Sequence, residues 1–67
     1  MEWIKWNIYP TDSSKSNPIW VYSKKYNSIT LGYYLDGVYT KGYYDMDGVG
    51  ITCSFWTKLQ PPKPPKN

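Results

Sequence analysis

An all-β fold is predicted by three features of this sequence. β-branched and aromatic residues dominate, with four Trp, eight Tyr and one Phe in 67 residues; alanine is absent; and glycine or proline divides the chain into short pieces. Strand-like runs cover residues 3–9, 19–25, 28–35, 38–44 and 49–57. Residues 11–18, TDSSKSNP, read as a polar loop. Residues 58–67, KLQPPKPPKN, form a proline-rich stretch that cannot enter a central strand and favours polyproline II. The expected organisation is one β domain over residues 1–60 and a proline/lysine-rich tail over residues 61–67.

Two turns fix a register. Asp36-Gly37 between Leu35 and Val38 is a strong signal for a two-residue hairpin loop. It places Leu35 opposite Val38, Tyr34 opposite Tyr39, Tyr33 opposite Thr40 and Gly32 opposite Lys41. Asp45-Met46-Asp47-Gly48 reads as a four-residue loop that places Tyr44 opposite Val49 and Gly42 opposite Ile51. Opposite residues share a face and faces alternate along a strand. One face then collects Ile29, Leu31, Tyr33, Leu35, Val38, Thr40, Gly42, Tyr44, Val49, Ile51, Cys53 and Phe55, which reads as a core. The other collects Thr30, Gly32, Tyr34, Tyr39, Lys41, Tyr43, Gly50, Thr52, Ser54 and Trp56. With Ile19 and Val21 and an N-terminal strand packed on the core face, a small antiparallel meander of about five strands is expected to close into an SH3-like barrel or sandwich.

A chain of this length buries only about 60% of the surface its unfolded form exposes. The usual reinforcements are disulfides, a structural metal or oligomerisation. Cys53 is the only cysteine and there is no histidine, so neither an internal disulfide nor a zinc site is expected. Dense aromatic packing and a homo-oligomer remain. The lone cysteine, and an N-terminus without a basic start and apolar core, lead us to expect a cytoplasmic protein, in the host cytoplasm if phage-encoded. No run approaches the roughly 20 apolar residues of a membrane span. Eight lysines against five acids give a net charge of +3 with no arginine. The excess favours anionic partners weakly, and the missing arginine argues against a duplex-DNA reader.

The sequence does not read as an enzyme. General acid–base chemistry draws mostly on histidine or a carboxylate pair in a cleft, whereas Asp36, Asp45 and Asp47 sit where turns need them. Cys53 has no histidine to activate it and is assigned to the core. Asp45-Met46-Asp47-Gly48 starts like a calcium loop, but Trp56 holds the place of the closing glutamate. No cofactor is expected. The candidate binding residues are Tyr34, Tyr39, Lys41, Tyr43 and Trp56, which together would make an aromatic hollow around one ammonium. Base stacking on such rings is worth about 1–3 kcal/mol per base, and a lysine meets phosphate as a point charge. Tyrosine and tryptophan equally serve protein interfaces, and the tail or a second copy of the chain could cover the same face.

At residues 56–65, WTKLQPPKPP, the chain resembles the domain-of-unknown-function 551 family of small phage and prophage proteins. Trp3 or Trp6 matches that family's opening tryptophan, WVYSK its first strand, Gly32-Tyr33-Tyr34 its GYY-like segment and ITCSFWTKLQPP its close. Phe55 stands where the family usually has histidine and Gln60 where it often has proline. The resemblance implies a phage-type origin and a small β fold. The resulting expectation is a non-enzymatic counter-defence protein that captures a nucleotide-like ligand. The alternatives are an inhibitor that binds a host defence protein or nuclease through the same surface, and a structural or accessory oligomer.

Overall fold

The computed structural model describes residues 2–58; the expected tail, residues 61–67, lies outside them. The all-β class holds. Six strands, β1 (Ile4–Lys5), β2 (Ile19–Ser23), β3 (Ser28–Leu35), β4 (Gly42–Asp45), β5 (Gly50–Ile51) and β6 (Phe55–Lys58), form one antiparallel sheet in the order β1-β6-β2-β3-β4-β5. No helix forms among the described residues, so none is long and apolar enough to cross a membrane.

The sheet must curl. Ile51 and Phe55 are four chain steps apart, at most about 14 Å, yet β5 and β6 stand four strand spacings apart, which would be about 19 Å in a flat sheet. Curling resolves the conflict and gives the sheet an inner and an outer face. Among the described residues no strand pairing joins the edges β1 and β5, so the structure is a curled sheet and not a demonstrated closed barrel. The expected final strand over residues 49–57 is therefore two strands, separated by Thr52, Cys53 and Ser54. Ser54 anchors the crossing: its N–H donates to the Tyr22 carbonyl at 2.8 Å, and its hydroxyl accepts from the Lys24 N–H at 2.9 Å. The expected N-terminal strand shortens to Ile4–Lys5, because the chain turns at Trp6 and leaves the ladder.

Both hairpin registers differ from those the turns suggest. In the first, Tyr34 lies opposite Tyr43 and Tyr33 opposite Tyr44, four residues from the expected pairing. Asp36-Gly37 begins a longer loop, closed by the Thr40 N–H donating to the Gly37 carbonyl at 3.4 Å and by the Tyr44 hydroxyl donating to the Thr40 carbonyl at 2.8 Å. The gain is two aromatic cross-strand pairs, with ring centroids 4.9 Å apart for Tyr34–Tyr43 and 5.9 Å for Tyr33–Tyr44, each worth about 0.2–1 kcal/mol. In the second hairpin Tyr44 lies opposite Gly50, not Val49, and Tyr43 opposite Ile51. That one-residue change moves Ile51 to the face of Tyr43.

The Asp45 side chain explains the second turn. Its carboxylate accepts from the N–H groups of Asp47 and Val49, both at 2.9 Å, and Gly48 takes a φ of +82° that suits glycine. Asp45→Ala is expected to cost about 1–2 kcal/mol, a fall in Tm on the order of 10 °C for a domain of this size. Asp45→Asn should retain most of the stability, and thermal melts of the two variants check this.

The largest correction concerns which face is inside. Ile19, Val21, Tyr34, Tyr43 and Trp56 form the buried cluster, with Ile4, Ile51 and Cys53 packed against it. The expected core face points outward over much of its length: Ile29 is 58%, Val49 59% and Val38 90% exposed, although Tyr33 is buried. The physical reason is the N-terminal arm beyond β1, which lies over the inner face and receives the polar tips of Tyr43 and Trp56. The Tyr43 hydroxyl donates to the Trp6 carbonyl at 2.8 Å, the Trp56 indole N–H donates to the Ile8 carbonyl at 2.6 Å, and the Tyr9 ring stacks on Tyr34 at 5.0 Å. Tyr43 and Trp56 are thus buried without losing their hydrogen bonds.

Candidate functional site

Of the five residues expected to bind together, three, Tyr34, Tyr43 and Trp56, meet inside the buried cluster. Tyr34 and Trp56 belong to the core. Tyr39 is 98% exposed in the loop between β3 and β4, away from the inner face it was expected to share. Lys41 and Tyr43 do come together, because both line a hollow of about 490 Å³ on the inner face. That volume is within the range of small-molecule sites.

The hollow exists because small side chains occupy this end of the inner face. β2 contributes Val21 and Ser23, β3 contributes Ser28 and Thr30, and β4 and β5 contribute Gly42, Tyr43, Tyr44, Gly50 and Ile51. Tyr26, Lys41 and Thr52 complete the wall. Val21 and Ile51 make an apolar floor beside Tyr43, while Ser23, Ser28, Thr30 and Thr52 supply hydroxyls that donate or accept. Lys41 is the one lysine, and there is no Asp or Glu, among the described residues that line the hollow. The Lys41 Nζ lies 5.2 Å from the centre of the Tyr9 ring, a cation–π placement that anchors the side chain without neutralising its charge.

Tyr26 is the residue that sequence reasoning missed. It sits in the turn between β2 and β3, where Asn27 adopts φ +50° and the Tyr26 N–H donates to the Ser23 hydroxyl at 3.3 Å. The ring is 65% exposed, with the Lys25 Nζ 5.3 Å from its centre. The hydroxyl row was missed for a simpler reason. Ser28 and Thr30 alternate with Ile29 and Leu31, so they look like the solvent side of a strand until the inner face is known.

Behind the hollow the titratable groups are held neutral. Burial raises the Tyr43 phenol well above its ordinary value, with Cys53 beside it adding to the effect. Burial also pushes the Cys53 thiol up to about 11, partly opposed by its hydrogen bond with Tyr43, which makes it a poor nucleophile at neutral pH. The Tyr34 phenol rises through burial and then the nearby Asp36 charge, with Lys41 opposing, and its hydroxyl is buried without a partner among the described residues. These groups bind protons more tightly folded than unfolded. Their contribution to stability is therefore complete below about pH 9, near the ordinary thiol value of 9.0, and is lost as pH rises through the folded values. Thermal melts should give a Tm that is level near neutrality and falls steeply above about pH 10. A Tm unchanged at about pH 11 would contradict the burial of this cluster.

Among the described residues no group of three or more His, Cys, Asp or Glu side chains could hold a metal ion. No family model, curated protein or solved structure matches the chain.

Proposed function

We propose that this chain is a non-enzymatic binding protein that captures a small anionic, nucleotide-like ligand in the hollow of the inner face. Lys41 meets the phosphate, the hydroxyls of Ser23, Ser28, Thr30 and Thr52 take the polar groups of the sugar, and Tyr26 offers its ring to the base. The observation that carries this reading is the lining itself, which among the described residues combines four serines and threonines and one lysine with no Asp or Glu. Such a wall attracts an anion and repels none. An origin in a phage and a counter-defence role by stoichiometric capture belong to the same proposal and rest on the family resemblance.

The test is a panel of linear and cyclic nucleotides added to the full chain. A ligand present at about 100 times its Kd stabilises by about 2.7 kcal/mol, a rise in Tm on the order of 10–20 °C. Lys41→Ala and Tyr26→Ala are expected to remove most of that rise, whereas Tyr39→Ala leaves it unchanged. No rise with any nucleotide would overturn the proposal. Tyr43→Ala is unsuitable as a probe because that residue also carries the core.

A second reading, inhibition of a host defence protein, is favoured by one observation. Val38 and Tyr39 are 90% and 98% exposed in a loop whose Thr40 carbonyl accepts from the Tyr44 hydroxyl, and tyrosine is among the residues that dominate protein interfaces.

A further inference from the structure

The outer face of the sheet is made of side chains that usually lie inside a protein. Tyr22 stands opposite Ile29 and Phe55, and Trp20 opposite Leu31 and Thr57. The Trp3 and Tyr22 rings are 6.0 Å apart and those of Tyr22 and Phe55 6.3 Å apart. Trp3, Tyr22, Ile29 and Phe55 enclose an apolar hollow of about 330 Å³. These ring contacts run between members of the face itself. Thr57, one residue before the end of β6, lies on this face beside Trp20.

We propose that residues 59–67, LQPPKPPKN, dock on this hollow as a polyproline II segment. Three arguments converge on that occupant. Pro61, Pro62, Pro64 and Pro65 have no N–H, so the segment cannot simply prolong the β6 ladder. Gln60 and Lys63 each precede a proline, which biases them toward extended backbone. Aromatic-lined grooves are the surfaces that polyproline II segments recognise, because the segment is already ordered and loses little entropy on docking. The reach is sufficient. A segment of this length spans about 28 Å in polyproline II form, and Phe55 lies about 10 Å back along β6 from Lys58. The chain therefore has length to spare for reversing direction and crossing the hollow.

The test uses the full chain at two concentrations, once uniformly labelled and once as a mixture of labelled and unlabelled copies. The proposal predicts nuclear Overhauser contacts between the proline Hδ protons and the rings of Trp3, Tyr22 and Phe55, with intensities that do not change on dilution. A variant carrying Pro61→Ser, Pro62→Ser, Pro64→Ser and Pro65→Ser should lose these contacts and shift the Tyr22 and Phe55 ring resonances, leaving those of Tyr43 and Trp56 in place. Absence of the contacts in the full chain, or unshifted outer rings in the variant, would overturn the proposal. Contacts seen only between differently labelled copies would also overturn it, since a second chain would then be the occupant.

Discussion

Trp56→Ala is expected to leave the chain unfolded at room temperature. Trp56 is 4% exposed, stands between Ile4 and Val21 in the ladder, and donates its indole N–H to the Ile8 carbonyl at 2.6 Å. Removing a buried tryptophan side chain costs about 3–5 kcal/mol. The Ile8 carbonyl also loses its donor, and with it the arm that covers the inner face. A domain of this length has a total stability of only about 3–10 kcal/mol, so the loss is comparable with the whole. Trp56→Phe keeps most of the packing, loses the hydrogen bond, and should remain folded with a lower urea midpoint. Had Trp56 been on an outward face, as the turn signals suggest, Trp56→Ala would change the midpoint little. Near-UV circular dichroism and urea melts of the two variants decide between these outcomes.

A pair of glycine substitutions tests the curl of the sheet. A Cβ on Gly32 would overlap the Tyr44 carbonyl oxygen of the neighbouring strand and would sit 3.4 Å from the Ile51 Cδ1. A backbone oxygen cannot yield without parting β3 from β4, so Gly32→Ala should cost at least the 1–3 kcal/mol, roughly, of an overpacked core. It should also disturb the Tyr34–Tyr43 pair. A Cβ on Gly50 meets nothing within 4 Å, and Gly50→Ala should stay within about 0.5 kcal/mol of the parent chain. Equal midpoints for the two variants would mean that β3 and β4 do not approach so closely.

The alternation along β3 is readable from the sequence. Residues 29, 31, 33 and 35 separate from 28, 30, 32 and 34, and Tyr34 and Tyr43 fall together, even though the first hairpin register is four residues away from the one that Asp36-Gly37 suggests. An even displacement preserves faces, which is why a wrong pairing still sorts the tyrosines correctly. Which face lies inside was not readable. Ile29, Leu31, Leu35 and Phe55 are more apolar than Thr30, Gly32, Tyr34 and Trp56, and local pattern therefore favours the wrong side. The choice is made by long-range groups, the carbonyls of Trp6 and Ile8, which receive the polar tips of Tyr43 and Trp56.

The candidate site was legible in part for the same reason. Lys41 and Tyr43 meet at one hollow, as expected, because they are close in sequence around the start of β4. Tyr39 was misplaced by the two-residue turn, which would have put it in a strand opposite Tyr34. Tyr26 and the hydroxyls of Ser23, Ser28 and Thr30 carried no signal of their own, since a polar residue alternating with Ile29 and Leu31 ordinarily faces water. Only the curl of the sheet, required by the short link from Ile51 to Phe55, turns that polar row into a wall.

The most direct measurement of the central claim is a nitrogen–proton correlation spectrum of the full chain, recorded during titration with the nucleotide that raises Tm most in the panel. Capture in the inner hollow predicts shifts confined to the amides of Tyr26, Ser28, Thr30, Lys41, Gly50 and Thr52. Shifts centred on Trp20, Tyr22 and Leu31 of the outer face, or no saturable shift with any nucleotide, would contradict it.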